Sequence, residues 1–195
     1  MNIPNQLTVF RLALSFVFLA TMSVNFPHSK TLSLLVFGIA AFTDFLDGHL
    51  ARKHNLITSF GKLMDPLADK VLMAAGFIML IATGYLPAWI VVVILSREFM
   101  VTGLRLVASA DGLVLAAENL GKYKTTIQIV TVIYFLLMLA ANEGGSFLGF
   151  LSPLFENKIL GPGILGQVLI WGSLFLTLLS GFNYVWKNRQ LLSDC

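Results

Sequence analysis

Four aspartates, Asp44, Asp47, Asp65 and Asp69, lie in a polar stretch between two long apolar runs. The first pair is spaced i, i+3 and the second i, i+4, so each pair shares one face if its segment is helical. Carboxylates this close repel one another unless positive charge lies among them. Their oxygens suit hard divalent cations, Mg²⁺ or Mn²⁺. Two such ions about 4 Å apart would stabilise the attacking and leaving oxygens of a phosphoryl transfer.

The alternative for these aspartates is a solvated acidic loop whose charge is balanced by nearby basic residues. Those residues are Arg52, Lys53, Lys62 and Lys70. Four acids at the ends of two adjacent helices, with helical spacing in both pairs, favour a functional site. Carboxylates at membrane depth are costly and usually functional.

The elements that position these acids are long and apolar. The chain is 57% hydrophobic and 12% charged, about half the charged fraction of a soluble domain. The apolar runs are continuous rather than alternating, which favours helices over barrel strands. Candidate spans of roughly 20 residues cover about 8–26, 31–50, 66–84, 87–107, 121–141 and 163–186. We predict an all-α, polytopic membrane protein with six transmembrane helices, and one domain over residues 1–195.

The lysines and arginines of this chain predict its orientation in the membrane. With a cytoplasmic N-terminus, the outer face receives only Lys30 and Lys158, and every other Lys and Arg falls on the inner side. This bias predicts that both termini and the aspartates face the cytoplasm. The segment from Met1 to Leu7 predicts a short N-terminal interfacial helix. The basic residues are spread along the chain, so no nucleic acid is expected as a partner.

The stretch from Asp44 to Asp69 resembles the signature of the CDP-alcohol phosphotransferases, D-x2-D-G-x2-A-R-x8-G-x3-D-x3-D, at every fixed position. That resemblance implies a six-helix membrane domain, a homodimer, and transfer of a phosphatidyl or similar group from a CDP-linked donor to an alcohol with release of CMP. It implies that the four aspartates hold two divalent cations, Mg²⁺ or Mn²⁺, and that Asp69 also takes the proton of the attacking hydroxyl. The implied CDP-binding residues are Asn5, Asp47, Gly48, Ala51, Arg52, Ser59 and Gly61.

The acceptor alcohol has to be inferred from residues outside this motif. Arg97 lies about ten residues after the turn at Pro87, roughly halfway along a span, so it should face a cavity or a partner rather than lipid. Glu98 could orient one of the nearby cations. A basic cluster here suits an acceptor that carries its own phosphate. The predicted acceptor phosphate-binding residues are Thr8, Arg11, Arg97, Arg105, Lys122 and Lys124. Ordinary positive-inside charge is the alternative, and it explains Lys122 and Lys124 better than Arg97.

Four further stretches, NQLTVFR, DPLADK, SREF…GLR and LGKYKT, are similar to the bacterial phosphatidylglycerophosphate synthases. This similarity implies a protein of the bacterial cytoplasmic membrane that acts among membrane lipids. Its substrates would be CDP-diacylglycerol and sn-glycerol-3-phosphate, and its products phosphatidylglycerophosphate and CMP. Three alternatives stay open: the same reaction with inositol phosphate, serine or phosphatidylglycerol as acceptor, a cation transporter, and a purely structural bundle.

Overall fold

The computed structural model describes the backbone of residues 3–54, 59–110, 119–187 and 189, and the side chains of residues 6–43, 64, 66–109, 120–187 and 189. The regular structure in these ranges is helical and contains no strand. The long helices are α1 (Ile3–Ser23), α2 (Ser29–His54), α3 (Ser59–Ala82), α4 (Ala88–Ala110), α5 (Asn119–Ala141) and α7 (Ile164–Lys187). A 3₁₀ turn (Gly149–Leu151) and a short helix, α6 (Ser152–Glu156), connect α5 to α7.

Each long helix coincides with one of the apolar runs in the sequence, so the all-helical fold is confirmed. Among the described residues, three stretches are long and apolar enough to cross a membrane: Gln6–Ser23, Leu120–Ala141 and Ile164–Lys187. The apolar part of α2, Ser29–Thr43, is shorter. α4 is interrupted by charged side chains such as Arg97, because one of its faces serves the polar site described below.

The N-terminal residues do not form a separate helix, in contrast to the prediction for the segment from Met1 to Leu7. α1 is continuous from Ile3 to Ser23. Pro4 does not break it, because a proline in the first turn lacks only an N–H that has no partner within the helix. The polar residues Asn5 and Gln6 therefore form the beginning of α1.

The helices form a bundle in which consecutive long helices run antiparallel. α1 packs against α2 and α3, α5 packs against α2, α3 and α7, and α4 packs against α3 and α7. The N-terminal ends of α1, α3 and α5 therefore lie beside the C-terminal ends of α2, α4 and α7. We call this the site end, and we call the opposite end, with segments 24–28, 83–87 and 142–163, the loop end.

The centre of the bundle is apolar and closely packed. Phe37 of α2, Phe77 of α3 and Phe135 of α5 are fully or almost fully buried in one hydrophobic cluster. Phe18 of α1 joins it, with its ring centroid 5.4 Å from that of Phe37. Between helices in a membrane, such side chains stabilise the packing through their many dispersion contacts. This cluster fixes how the long helices lie against one another, and so where their ends meet.

Polar contacts between α5 and α7 fix the register of these two helices. The Gln128 amide donates to Thr177 Oγ1 at 2.9 Å. One turn further along α5, the hydroxyls of Thr131 and Ser173 lie 2.8 Å apart. All four side chains are buried. Hydrogen bonds of this kind hold helices together where water is excluded, and here they hold α7 in a defined position relative to the site end.

At the loop end, Glu143 closes the N-terminus of α2. Its carboxylate accepts hydrogen bonds from the backbone N–H groups of Lys30 and Thr31, both at 2.9 Å, and from the Thr31 hydroxyl at 2.8 Å. Burial alone would raise the pKa of Glu143, but these bonds, with a further one from the Ser29 hydroxyl, outweigh it and hold that pKa below its usual value. The ionised carboxylate therefore satisfies N–H groups that have no partner within the helix.

Candidate active site

The predicted aspartates lie at the site end, on two helices that contact each other. Asp44 and Asp47 belong to the C-terminal part of α2, and Asp65 and Asp69 to the N-terminal part of α3. The helical spacing predicted for both pairs is therefore confirmed. Only the side chain of Asp69 is among those that the structure describes. No cluster of three or more metal-ligating side chains occurs among the described residues, and the other three aspartates lie outside them.

Asp69 forms an ion pair with Arg11, which joins α3 to α1. The Arg11 side chain is 1% exposed, whereas that of Asp69 is 42% exposed. The buried Arg11 guanidinium therefore contacts the Asp69 carboxylate from inside the bundle, and the carboxylate stays accessible to solvent. Thr8, one turn before Arg11, is also buried. Both residues were predicted to bind the acceptor phosphate, and the structure places Arg11 against the predicted base.

A second charged group joins α4 to α5. Glu98 Oε1 accepts hydrogen bonds from Arg97 Nη1, at 3.3 Å, and from Lys124 Nζ. The side chains are 11% exposed for Arg97, 17% for Glu98 and 4% for Lys124. Glu98 thus fixes two cations that the sequence separates by 27 positions, from residue 97 to residue 124. The predicted role of Glu98 in orienting a neighbouring cation agrees with these contacts.

α7 supplies the other partners of the α4 arginines. Arg97 Nη2 donates to Ser180 Oγ at 3.0 Å. Arg105 Nε donates to the Tyr184 hydroxyl at 3.3 Å, and the guanidinium carbon lies 5.2 Å from the centre of the Tyr184 ring. A cation over an aromatic face at this distance is attracted by the ring. Both arginines are therefore held at defined positions on the bundle.

Lys70 lies near both Asp69 and the two arginines of α4. Its charge is attracted by Glu98 and Asp69 and repelled by Arg105 and Arg97, so these four side chains lie within electrostatic range of Lys70. The Lys70 ammonium also donates to the Pro66 carbonyl at 3.2 Å. The site end therefore brings the predicted base and a group of cations to one place.

The structure does not bring every predicted residue into this group. Lys122 is exposed, whereas Lys124 is buried, because residues two apart on a helix point to different sides. The predicted CDP-binding residues lie on α1, α2 and α3, but their side chains are outside the described ranges. They are Asn5, Asp47, Gly48, Ala51, Arg52, Ser59 and Gly61.

The sequence analysis missed four residues of this group: Lys70, Ser180, Gly181 and Tyr184. Lys70 directly follows Asp69 and could have been assigned to the site from that position. The α7 residues carry no such signal, because Ser and Gly are common where membrane helices pack and Tyr is common near the membrane surface. Only the packing of α7 on α4 shows their contacts.

Residues 1–179 match the CDP-alcohol phosphatidyltransferase family. A CDP-diacylglycerol–glycerol-3-phosphate 3-phosphatidyltransferase of Bacillus subtilis (strain 168) is 40% identical, over 98% of this chain and 97% of its own length. A protein of the same name from Rickettsia bellii (strain RML369-C) is 36% identical, over 94% and 93%. A probable phosphatidylglycerophosphate synthase of Mycobacterium tuberculosis (strain H37Rv) is 34% identical, over 94% and 80%.

Proposed function

This chain belongs to the CDP-alcohol phosphatidyltransferase family, and we propose that it transfers the phosphatidyl group of CDP-diacylglycerol to sn-glycerol-3-phosphate, giving phosphatidylglycerophosphate and CMP. The names of the relatives support this reaction. Their similarity extends over nearly the whole chain. It therefore includes the helices that carry Arg97, Arg105 and Lys124 as well as the aspartate motif.

One structural observation favours an acceptor that carries a phosphate. Among the described side chains of this group, four cations from three helices, Lys70, Arg97, Arg105 and Lys124, outnumber the acids Glu98 and Asp69. Positive charge in this excess is costly in a partly buried site unless an anion balances it. A guanidinium can form paired hydrogen bonds to phosphate, which also orients the ligand. A neutral acceptor such as serine offers no phosphate for such bonds.

In the proposed reaction, a hydroxyl oxygen of the acceptor attacks the phosphorus that carries the diacylglycerol group. The hydroxyl proton passes to the Asp69 carboxylate. The bond from that phosphorus to the bridging pyrophosphate oxygen breaks, and CMP leaves with that oxygen. Arg11 supports this role, because its buried guanidinium forms an ion pair that orients the carboxylate. Geometry is the first requirement for a general base, before its pKa.

We further propose that Asp44, Asp47, Asp65 and Asp69 hold two divalent cations, Mg²⁺ or Mn²⁺. The donor set fits, because it consists of carboxylate oxygens on two contacting helices, and the one described carboxylate is accessible. When bound, such ions neutralise the charge of the pyrophosphate and of the leaving group. The donor's nucleotide would lie along α2 and α3, at the CDP-binding residues named above.

The proposed setting is the bacterial cytoplasmic membrane. The six long helices would each cross it, with both termini and the site end towards the cytoplasm, where a water-soluble sugar phosphate is available. The charge bias of the sequence supports this orientation. The donor's acyl chains would stay among the membrane lipids, and a homodimer is expected from the family.

The proposal is tested by measuring CMP release from CDP-diacylglycerol by the purified protein in detergent. The acceptors are sn-glycerol-3-phosphate, inositol phosphate, serine and phosphatidylglycerol, each with Mg²⁺, with Mn²⁺ and with a chelator. We expect release with glycerol-3-phosphate, loss of release with the chelator, and recovery when the metal is restored. Release with another acceptor only would reassign the substrate, and unchanged release with the chelator would contradict the metal site.

A further inference from the structure

Ser180, Gly181 and Tyr184 form one face of α7 at the site end, and this face touches both arginines of α4. We propose that it positions Arg97 and Arg105 for the phosphate of the acceptor, and that Gly181 in particular is required for this. The proposal rests on the function proposed above and adds a second layer of residues to it. These are positioning residues, because they act through the arginines.

The Arg97 side chain is held by hydrogen bonds through two of its three guanidinium nitrogens. Nη2 donates to Ser180 and Nη1 to Glu98. Nε is buried, and it has no hydrogen-bond partner in the part of the chain that the structure describes. A buried N–H without a partner is costly, more so on a charged group. The guanidinium is thus held by α7 and Glu98, with its Nε packed against Gly181 of α7.

Gly181 provides the space in which Arg97 lies. A Cβ atom at this position would be 2.8 Å from Arg97 Cγ, 3.4 Å from Nε and 3.7 Å from Cδ. The closest atom is near the root of the side chain rather than at its flexible end, so a small shift of the guanidinium cannot relieve the contact. Any larger residue at Gly181 therefore forces Arg97 into another rotamer and away from Ser180.

Arg105 is aligned by the same face. Tyr184 is one turn beyond Ser180 on α7, and Arg105 is about two turns beyond Arg97 on α4. Arg105 is itself exposed, whereas Tyr184 is buried. The rigid ring therefore restricts a side chain that would otherwise sample several rotamers. The two arginines are fixed relative to each other because they are fixed to one helix.

Close helix packing is the alternative explanation for Gly181, since small residues often allow two backbones to approach. The neighbours of Gly181 argue against it. The three atoms nearest to a Cβ placed on Gly181 all belong to the Arg97 side chain, and none belongs to a backbone or to an apolar residue. The space at Gly181 is therefore occupied by the arginine.

The test compares Gly181→Ala with Gly172→Ala, a change on the same helix where a Cβ meets nothing within 4 Å. Steady-state rates are measured by CMP release with each substrate varied in turn. We expect Gly181→Ala to raise the KM for glycerol-3-phosphate about tenfold, equivalent to about 1.4 kcal/mol. In the same variant, the KM for CDP-diacylglycerol should change less than about twofold. In the control Gly172→Ala, the KM values for both substrates should change less than about twofold.

Two milder variants keep the proposal testable if Gly181→Ala does not fold. Ser180→Ala removes the hydroxyl of α7 that accepts from Arg97, and Tyr184→Phe removes the hydroxyl but keeps the ring under Arg105. Each should raise the KM for glycerol-3-phosphate roughly three- to tenfold, the effect of one hydrogen bond. The inhibition constant of inorganic phosphate, used as a competitive inhibitor, should rise in these variants together with the KM for glycerol-3-phosphate.

Equal changes in both KM values, or unchanged values in folded variants, would overturn the positioning role and leave the reaction itself intact. If the wild-type protein releases no CMP with glycerol-3-phosphate, the proposed function fails first, and the positioning role fails with it. The wild-type reaction and the variants therefore report on the two proposals separately.

Discussion

At the scale of single residues, the site depends on charges that the sequence separates and the fold brings together. Arg11 of α1 lies against Asp69 of α3, and Lys124 of α5 lies against Glu98 of α4. In both pairs the cation is buried and the acid is more exposed. Each ion pair thus joins two helices, with the cation on the inner side of the pair.

Asp69→Asn tests the proposed base. The amide keeps an oxygen that can accept from Arg11, so the protein should remain folded, but it cannot take a proton. CMP release should fall by about 10²- to 10⁴-fold, the usual contribution of a general base. The exposed Glu156→Gln at the loop end serves as the control and should keep wild-type turnover. Near-normal turnover of folded Asp69→Asn would exclude this residue as the base.

Arg97→Ala tests the acceptor site. It removes the guanidinium beside Glu98 and Ser180, so the KM for glycerol-3-phosphate should rise by at least about tenfold, as for a lost hydrogen bond to a charged group. The KM for CDP-diacylglycerol should change much less. Lys158→Ala removes one exposed cation at the loop end and controls for net charge. Equal effects of Arg97→Ala on both substrates would count against an acceptor role.

Residue spacing predicted the aspartate pairs because i, i+3 and i, i+4 neighbours share a helix face whatever the surrounding fold. It also predicted that Arg97 needs a partner, since a charge at depth cannot face lipid. It could not identify Ser180 or Tyr184 as the partners, because these contacts join residues about 80 positions apart. It also grouped Lys122 with Lys124, although the structure places their side chains on different sides of α5.

At the scale of helices, hydrophobic runs predicted every long element, and their ends agree within a few residues. The main exceptions are the ends near the site. α2 extends to His54 and α3 begins at Ser59, so both helices continue through polar sequence that carries the aspartates. An apolar run shows where a helix is buried in lipid or protein, and it does not show how far the helix continues beyond that depth.

Gly76→Ala tests the packing of α3 against α2 and α5. A Cβ there would lie 2.9 Å from Val132 Cγ1 and 3.1 Å from Phe37 Cε2, and both neighbours are fully buried. Overpacking costs about 1–3 kcal/mol, which exceeds the gain of up to about 1 kcal/mol from replacing glycine in a helix. We expect a lower Tm in detergent. Gly38→Ala, with no atom within 4 Å of its Cβ, should not lower it. A Tm of Gly76→Ala at or above wild type would contradict this packing.

The dependence of Tm on pH tests the contact between Glu143 and the start of α2. Its pKa is lower in the folded protein than in the unfolded chain, so the ionised carboxylate stabilises the fold above the usual glutamate range. That stabilisation is lost as the pH falls through the folded value. Glu143→Gln should therefore flatten the decline of Tm in acid, whereas Glu156→Gln should leave it unchanged. An acid profile identical to wild type in Glu143→Gln would rule out this contribution.

At the scale of the whole molecule, the two ends of the bundle differ in what their polar groups do. The loop end uses Glu143 to satisfy the start of α2. The site end collects more cations than described acids, and its described carboxylate Asp69 is accessible. Between them, many large apolar side chains are exposed on the helices, such as Phe16, Ile39, Val92 and Phe175. A surface of this kind suits lipid, in agreement with a membrane protein whose proposed site lies at one end of the bundle.

The reaction itself is tested most directly by following the acceptor into the lipid product. Purified protein is incubated with CDP-diacylglycerol, isotope-labelled sn-glycerol-3-phosphate and Mg²⁺ or Mn²⁺, and the lipids are analysed by mass spectrometry. We expect labelled phosphatidylglycerophosphate in an amount equal to the CMP released, and about 10²- to 10⁴-fold less of it from Asp69→Asn. CMP release without label in a lipid, or no release with this acceptor, would contradict the proposed function.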